Sequence, residues 1–431
     1  MDQREPMAER HRHAIEIILI IGLTPALLIA LAPCAPVSII LGQPTPTASL
    51  PATPVLTTPL AQQTKVTPPT RIPPTAIPTP TSSPTPASSP VPPTQSLPSP
   101  PPPLVGNGSK LGVHGIWSNR ILDFTQTLAD AGAPFRIVKS VDDLGWLKEV
   151  KRISPETITV GRLTHGHEGA ALVNDPGTDL DGYAVVLMEP ILTRVQDDPS
   201  LRQAVDYWEL TNEPLGGGLP ADAYARLARL TIKCLDIAEA NDLKLAIFGF
   251  SAGTPEWVDL VAIVETGVFA RARAGGHILA LHEGVFGDAP IDKWWNVHFV
   301  DGDGNPIAED TGVTAPGGWI PGGPILDGAG ALCLRYRFLY ALLQERDEVV
   351  PLFVSEFYAG GGYDPADKAG VVARMQWYDG QISADDYVLG FGPFTLGPVP
   401  DWKHQDYEPF YEGEDGLVAY MIARAAGSSL P

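Results

Sequence analysis

The stretch YWELTNEP, residues 207–214, has the pattern of a buried strand that runs into a sharp turn. Its first half carries the aromatic and apolar side chains that favour β-strands, and it closes on Asn212 and Glu213 directly before Pro214. A carboxylate is disfavoured at the end of a buried strand unless it has a partner or a chemical task. The stretch therefore predicts a strand that delivers Asn212 and Glu213 to one edge of a sheet.

Further apolar runs flank this strand and alternate with helical patterns. The predicted strands are 111–117, 135–141, 157–165, 207–213, 243–250, 277–286, 351–358 and 387–396. The clearest helical patterns, with apolar residues at three-to-four spacing, are 221–241, 256–274, 331–348, 368–380 and 416–427. This alternation predicts an α/β fold, a (β/α)8 TIM barrel over residues 105–431. An open doubly wound sheet is the alternative, although HGIWSN after the first strand lacks the glycine-rich turn of dinucleotide-binding proteins.

The N-terminal part of the chain, residues 1–42, has a different composition. A polar stretch with several basic residues precedes an apolar run, residues 14–42, in which only Glu16 is charged. Such a run is long enough to cross a bilayer as a helix, and it also fits a signal segment. The positive-inside rule predicts a single-pass membrane anchor with the rest of the chain extracellular, or a secreted protein if the segment is cleaved. Lipid attachment at Cys34 is a lesser alternative.

Residues 43–104 are rich in Pro, Thr and Ser and nearly free of charge, and they hold 21 of the 45 prolines of the chain. A segment of this composition buries too little apolar surface to offset its chain entropy, so we expect a disordered linker. Fully extended at about 3.1 Å per residue, it reaches roughly 190 Å. The sequence thus predicts a folded domain on a long stalk.

Charge and cysteine content exclude several classes of function. The formal net charge is −21, and after residue 104 the chain carries 24 Lys and Arg against 46 Asp and Glu. A domain this acidic is repelled by phosphate backbones, so we expect no nucleic-acid partner. The chain has three cysteines, which cannot form the disulfide framework of a small secreted protein.

Two of the predicted strands, the fourth and the seventh, carry a glutamate at or near their C-terminal ends. These are Glu213 and Glu356, and turn-forming glycines follow each of them. In a TIM barrel the chemistry lies at the C-terminal ends of the strands, where side chains from these two strands converge over the mouth. Hydrolysis of a glycosidic bond needs such a pair. One carboxyl group, with a raised pKa, protonates the leaving oxygen, and the other attacks the anomeric carbon or activates a water.

The motifs TNEP (211–214) and SEF (355–357) resemble those of clan A of the glycoside hydrolases, in particular families 5 and 39. The resemblance implies a retaining (β/α)8 glycosidase with Glu213 as acid/base and Glu356 as nucleophile, while Asn212 holds the sugar 2-hydroxyl. It implies an extracellular polysaccharide or glycoconjugate as substrate, a covalent glycosyl-enzyme intermediate, and neither a metal nor another cofactor.

Further candidates lie at strand ends and in loops. The residues predicted to bind substrate are Asn212, His282, Trp117, His165, Trp295 and Phe394. His282 stands where the family commonly places an aromatic residue or a histidine near the nucleophile. Two departures leave the substrate class open. Relatives usually carry a Trp where this chain has Phe394, and an Arg where it has Lys139.

Three alternatives remain at this point. His165 and His167 share a strand face, which permits a metal site, but we favour contacts with sugar hydroxyls because the sequence places no third ligand there. Glu283 points to the other side of its strand from His282 and is expected to pair with a helix. A non-catalytic carbohydrate-binding or adhesive module on a stalk is the competing function. A separation of Glu213 and Glu356 well beyond 10 Å would favour it.

Overall fold

The structure is a computed structural model. It describes residues 108–116, 120–216, 219–285, 299–300, 306–307, 320, 322–324, 326, 328–359 and 367–427. The predicted membrane segment, the predicted linker, Trp117 and Trp295 lie outside these residues, so those predictions stay predictions. Within the described part of the chain, no helix combines the length and the apolar character needed to cross a membrane.

The main sheet is a closed barrel of parallel strands. The strands are β1 (Val113–Gly115), β2 (Ile137–Val141), β3 (Ile158–Arg162), β4 (Tyr207–Glu209), β5 (Leu245–Phe250), β6 (Ile278–Val285), β7 (Leu352–Ala359) and β8 (Val388–Leu396). Each strand pairs with the next in the chain, and β8 pairs with β1 to close the ring. The predicted α/β barrel is therefore confirmed, and the open sheet is excluded. A separate antiparallel pair joins Phe299–Val300 to Pro306–Ile307.

Helices lie between the strands, as the alternating pattern predicted. The α-helices are Ile121–Asp130, Gly145–Ile153, Leu180–Asp197, Leu201–Ala204, Ala221–Ala240, Trp257–Val264, Val268–Gly275, Tyr336–Glu345, Lys368–Ile382, Glu408–Tyr411 and Leu417–Ala425, with 3-10 turns at Ala171–Asn174 and Pro400–Gln405. The single helix predicted over 256–274 is two helices. They meet at Gly267, whose φ of 75° lies in the left-handed region that ends an α-helix.

The barrel interior changes from apolar to charged along the strands. A small apolar cluster takes one or two residues from each strand from β2 to β8, and it forms the floor of the interior: Ile137, Val160, Tyr207, Ala246, Ile278, Ala280, Phe353 and Leu389. Side chains alternate faces along a strand, so residues two positions further on also point inward. Those positions hold Lys139, Arg162, Glu209 and His282, all of them buried.

Glu283, the neighbour of His282, points outward to the start of the helix Tyr336–Glu345. Its carboxylate accepts hydrogen bonds from the backbone N–H groups of Leu334 (2.6 Å) and Tyr336 (3.1 Å) and from the Tyr378 hydroxyl (2.6 Å). The predicted pairing of this residue with a helix is confirmed. Burial outweighs these hydrogen bonds and raises the pKa of Glu283 to about 7.

This raised pKa makes the stability of the fold depend on pH. The protonated Glu283 carboxyl stabilises the folded state at and below its ordinary pKa of 4.5, and this contribution is lost as the pH rises through about 7. Between pH 4.5 and a pH above 7, the unfolding free energy of the wild-type protein is expected to fall by about 3 kcal/mol through this group. Glu283→Gln has no titrating group at this position and should not show this part of the loss. Urea unfolding of both proteins at pH 4.5, 6 and 8 measures the two slopes, and equal slopes would contradict the prediction.

Candidate active site

Glu356 lies inside the barrel near the C-terminal end of β7, with only 4% of its surface exposed. Its Oε1 accepts hydrogen bonds from Lys139 Nζ at 3.2 Å and from Arg162 Nη1 at 3.3 Å. Its Oε2 accepts one from the Tyr358 hydroxyl at 2.8 Å. The two oxygens thus have different roles: Oε1 is anchored to two cations, whereas Oε2 contacts a neutral donor.

A one-residue shift in register turns Glu356 inward. Phe353 belongs to the apolar floor, so simple alternation along β7 would point Ser355 inward and Glu356 outward. The pairing of β7 with β6 shifts between Leu281–Val354 and His282–Glu356. A bulge of this kind re-aims the side chains that follow it, and it brings Glu356 to the same face as His282.

The charges around Glu356 keep it ionised. Burial acts to raise the pKa of this carboxyl group and is the largest single effect. The opposing influences, chiefly those of His282, Lys139 and Arg162, together outweigh it, so the pKa of Glu356 lies well below its usual range. A carboxylate that stays charged in a buried site has the protonation state that a nucleophile requires.

Glu213 follows β4 in a strained turn. Its φ of 47° is left-handed, which is uncommon for a residue other than glycine, and its backbone N–H donates to the Gly249 carbonyl at 2.8 Å. The carboxylate accepts a hydrogen bond from Ser251 Oγ at 3.0 Å and lies 3.2 Å from His282 Nδ1. Its side chain is 44% exposed, so it faces solvent at the mouth while Glu356 lies deeper.

The acid/base role predicted for Glu213 called for a raised pKa, and the structure differs on this point. The hydrogen bond from His282 is the main reason that the pKa of Glu213 is lowered, and the Ser251 hydroxyl adds to the effect. Burial and the charge of Glu356 act in the opposite direction.

His282 links the two glutamates. Its Nδ1 lies 3.2 Å from Glu213 Oε1 and 3.7 Å from Glu356 Oε2. These two carboxylate oxygens therefore lie within about 7 Å of each other. The structure thus puts His282 between the two predicted catalytic groups.

Several buried polar atoms without a partner lie at this end of the barrel. Among the described residues they include both ring nitrogens of His114, Glu209 Oε2, Asn212 Oδ1 and His282 Nε2. An unpaired buried polar atom is costly, so a group of them marks a place where a polar ligand or water completes the hydrogen bonding.

The other predicted site residues have different surroundings. Phe394 is buried on β8, with its ring 5.0 Å from that of His114 and 5.4 Å from that of Trp402. His165 is half-buried beyond β3, where its Nδ1 accepts the backbone N–H of His167 at 3.3 Å. Its pKa is lowered by burial, then by His167 and by Arg162.

The polar and charged side chains around Glu356 form one cluster inside the barrel. Four of its members were not among the predicted site residues. They are His114, Arg162, Glu209 and Tyr358. Arg162 and Glu209 stand two positions after floor residues, and Tyr358 stands two after Glu356, so the period-two pattern identifies them only once one inward-facing residue of each strand is known. Lys139, which lies near the end of the second predicted strand where relatives usually carry an Arg, contacts both Glu209 and Glu356.

The cluster also contains a group with metal-ligand chemistry. Three residues each place one possible ligand atom within 4.8 Å of the other two: Glu209, His282 and Glu356. However, Lys139 Nζ lies 2.8 Å from Glu209 Oε1 and 3.2 Å from Glu356 Oε1. A cation of the protein thus already stands between the two carboxylates, so these residues fit an internal ion pair better than a metal site.

Comparison with known proteins gives matches in structure only. No family model and no curated protein matches the chain. Similar solved structures include a family 39 glycoside hydrolase from Bacteroides cellulosilyticus, with 12% identity and a TM-score of 0.45 over 74% of this chain and 63% of that chain. A mannanase catalytic domain from Streptomyces sp. SirexAA-E has 16% identity and a TM-score of 0.32 over 72% and 86% of the two chains.

A family 30 subfamily 8 xylanase from Clostridium acetobutylicum has 13% identity and a TM-score of 0.39, over 73% of this chain and 70% of that chain. The chain spans 63% of the length of the family 39 enzyme.

The turn that carries Glu213 leads to a prediction about Gly249. This glycine has a φ of 67°, and a Cβ added to it would meet the Thr211 carbonyl oxygen at 2.5 Å. Gly249→Ala therefore adds a backbone clash to the conformational penalty of about 1–3 kcal/mol, and we expect the Tm to fall by at least 5 °C or so.

Gly132→Ala is the matched control, because its φ of 69° is nearly the same and an added Cβ would meet nothing within 4 Å. It carries the conformational penalty alone, so its Tm should fall clearly less. Equal losses in the two variants would show that the contact with Thr211 is unimportant.

Proposed function

We propose that this chain is a retaining glycoside hydrolase that acts on an oligosaccharide or polysaccharide. One observation carries the proposal. Two carboxylates stand within about 7 Å of each other at the C-terminal end of the barrel, one anchored and ionised and the other half-exposed. The unpartnered polar atoms of His114, Asn212 and His282 beside them suit the hydroxyl groups of a sugar.

In the first step of the proposed reaction, Glu356 Oε2 attacks the anomeric carbon. Its lone pair forms the ester bond while the bond to the leaving oxygen breaks, and Glu213 donates its proton to that oxygen. The anchoring of Oε1 by Lys139 and Arg162 leaves Oε2 as the attacking atom.

Glu213 must gain a proton before this step. A bound sugar would exclude water from its half-exposed carboxyl group, and such desolvation raises the pKa of a carboxyl group. This effect opposes the hydrogen bond from His282 that lowers the pKa in the free protein.

In the second step Glu213, now ionised, removes a proton from a water molecule. The water oxygen forms a bond to the anomeric carbon, and the ester bond to Glu356 breaks. The carboxylate of Glu356 leaves with the electron pair, and both residues return to their starting states. The configuration at the anomeric carbon is retained because it has been inverted twice.

The separation of the carboxylates is in keeping with retention. Retaining enzymes hold their two carboxyl groups about 5–5.5 Å apart, while inverting enzymes need roughly 6.5–9.5 Å to admit a water. One oxygen of Glu213 and one of Glu356 lie within about 7 Å of each other, a bound that the retaining distance satisfies, and the preference for retention rests on the resemblance of the two motifs. An extracellular location, on a stalk or after secretion, belongs to this proposal as well, on the strength of residues 1–104.

A carbohydrate-binding module is the second candidate. The observation in its favour is that the charge of Glu356 is already balanced by Lys139 and Arg162, as in a purely structural ion pair. However, the half-exposed Glu213 has a carboxylate oxygen within about 7 Å of Glu356. This favours a glycosidase over a binding module, because a structural ion pair has no need of a second carboxylate.

Hydrolysis of aryl glycosides and of a polysaccharide panel by the full-length protein tests the proposal. Glu356→Ala should lower kcat by at least about 10⁴-fold, since nucleophile and acid/base residues act as a unit. Glu213→Ala should retain slow cleavage of aryl glycosides with good leaving groups, and azide should restore its rate as a glycosyl azide forms.

Glu189→Gln serves as the control, because it removes an exposed carboxylate on the outer helix Leu180–Asp197. Its activity should equal that of the wild type. Full activity in Glu356→Ala would exclude the proposed mechanism. Retention of the wild type on an insoluble glycan without hydrolysis would establish the binding module instead.

A further inference from the structure

A third carboxylate, Glu209, lies inside the barrel on β4, with its side chain completely buried. Its Oε1 accepts a hydrogen bond from Lys139 Nζ at 2.8 Å, while its Oε2 has no partner. The two-carboxylate reaction assigns this residue no step. A buried carboxylate with one unpaired oxygen is expensive, so a role for its charge needs to be found.

The Lys139 ammonium is shared between two acceptors. It lies 2.8 Å from Glu209 Oε1 and 3.2 Å from Glu356 Oε1, so it is drawn towards Glu209. Arg162 has a similar arrangement, because its Nη1 contacts Glu356 while its Nε and Nη2 bind Glu168 Oε2. Each cation that anchors Glu356 is therefore also held by a second carboxylate.

We propose that Glu209 is a positioning residue for the proposed glycosidase, and that it holds the Lys139 ammonium in a shared position against Glu356 Oε1. In that position the ammonium orients the Glu356 carboxylate so that its Oε2 faces Glu213. Because the ammonium is shared with Glu209, it does not pair fully with Glu356. The inference rests on the proposed function, since it assigns Glu209 to the same nucleophile.

Coulomb's law gives the consequence of removing each partner. Without the charge of Glu209, the ammonium moves closer to Glu356, and the stronger pairing makes this carboxylate a weaker nucleophile. Without Lys139, two buried carboxylates face each other with no cation between them. Like charges at such a distance raise the pKa of a carboxyl group, so Glu356 becomes partly protonated.

The charge state of Glu356 depends on groups from most strands of the barrel. The titratable and charged side chains that face it are His114 on β1, Lys139 on β2, Arg162 on β3 with Glu168 beyond it, Glu209 on β4, Glu213 after β4, His282 on β6 and Tyr358 on β7. Burial and Lys139 lower the pKa of His114 well below its usual range, so it is neutral at pH 7. Among these groups, Glu209 and Lys139 are the pair that the proposal concerns. Glu209→Gln and Lys139→Met remove their charges with little change in side-chain size.

A double-mutant cycle on Lys139→Met and Glu209→Gln tests the proposal. In a plot of kcat/KM against pH, the acid limb is the fall in activity at low pH as Glu356 becomes protonated. Lys139→Met should move this limb up by about one to two pH units, because an opposite charge at this range lowers a carboxyl pKa by about that amount. Glu209→Gln should lower kcat with little change in KM. The double variant should recover, with the limb shifted back by about one unit and roughly tenfold more activity at pH 6 than Lys139→Met.

Recovery in the double variant separates positioning from packing. A merely structural pair would make the double variant no better than Lys139→Met, and that result would overturn the proposal. Glu283→Gln combined with Lys139→Met is the matched control, since Glu283 is a buried carboxylate that points out of the barrel. It should leave the acid limb where Lys139→Met alone puts it.

The ¹³C NMR titration of the Glu356 carboxyl carbon, assigned with Glu356→Gln, reads the same charge state without a substrate. Lys139→Met should raise the pKa of Glu356, and the double variant should lower it again. If this titration behaves as expected but no glycoside is hydrolysed, the positioning inference holds and the proposed function fails. If glycosides are hydrolysed but the second change has no effect on the titration, only the positioning inference fails.

Discussion

The buried charge of Glu356 is the constraint on which the rest of the structure depends. A carboxylate removed from water is costly unless cations and hydrogen-bond donors surround it. Here Lys139 and Arg162 reach it from neighbouring strands, and Tyr358 donates from the same strand. Because one carboxylate cannot balance two cations, Glu209 and Glu168 serve as their second partners. One buried carboxylate thus accounts for most of the polar layer of the barrel.

This polar layer needs the closed barrel beneath it. The apolar floor, which includes Ile137, Tyr207 and Phe353, closes the interior from below, and the charged side chains stand two residues further along the same strands. The floor keeps water away from the ion pairs, and in such surroundings charges interact more strongly than in bulk water. The interior therefore has an apolar lower half and a charged upper half, which opens towards the half-exposed Glu213.

Much of the fold could be predicted because its signals are local. Apolar runs, helical spacing and turn residues act within a few positions of one another, and they identified all the strands of the barrel. The break at Gly267 was missed because the apolar pattern continues across it, although the residue is left-handed. Within the site, the strand ends carrying Glu213 and Glu356 were identified, whereas Arg162 and Glu209 were not. Those two residues lie inside predicted strands, where alternation alone does not say which face is the interior.

The sequence by itself determined the number and order of the strands and the placing of two glutamates at strand ends, because each of these follows from short stretches of chain. The tertiary structure alone decided which charges meet. Lys139 lies 70 residues from Glu209 and 217 residues from Glu356, yet it bonds to both. That meeting depends on closure of the barrel and on the register shift beside His282 that turns Glu356 inward. Neither is a property of a short stretch, since both arise only when distant strands pair.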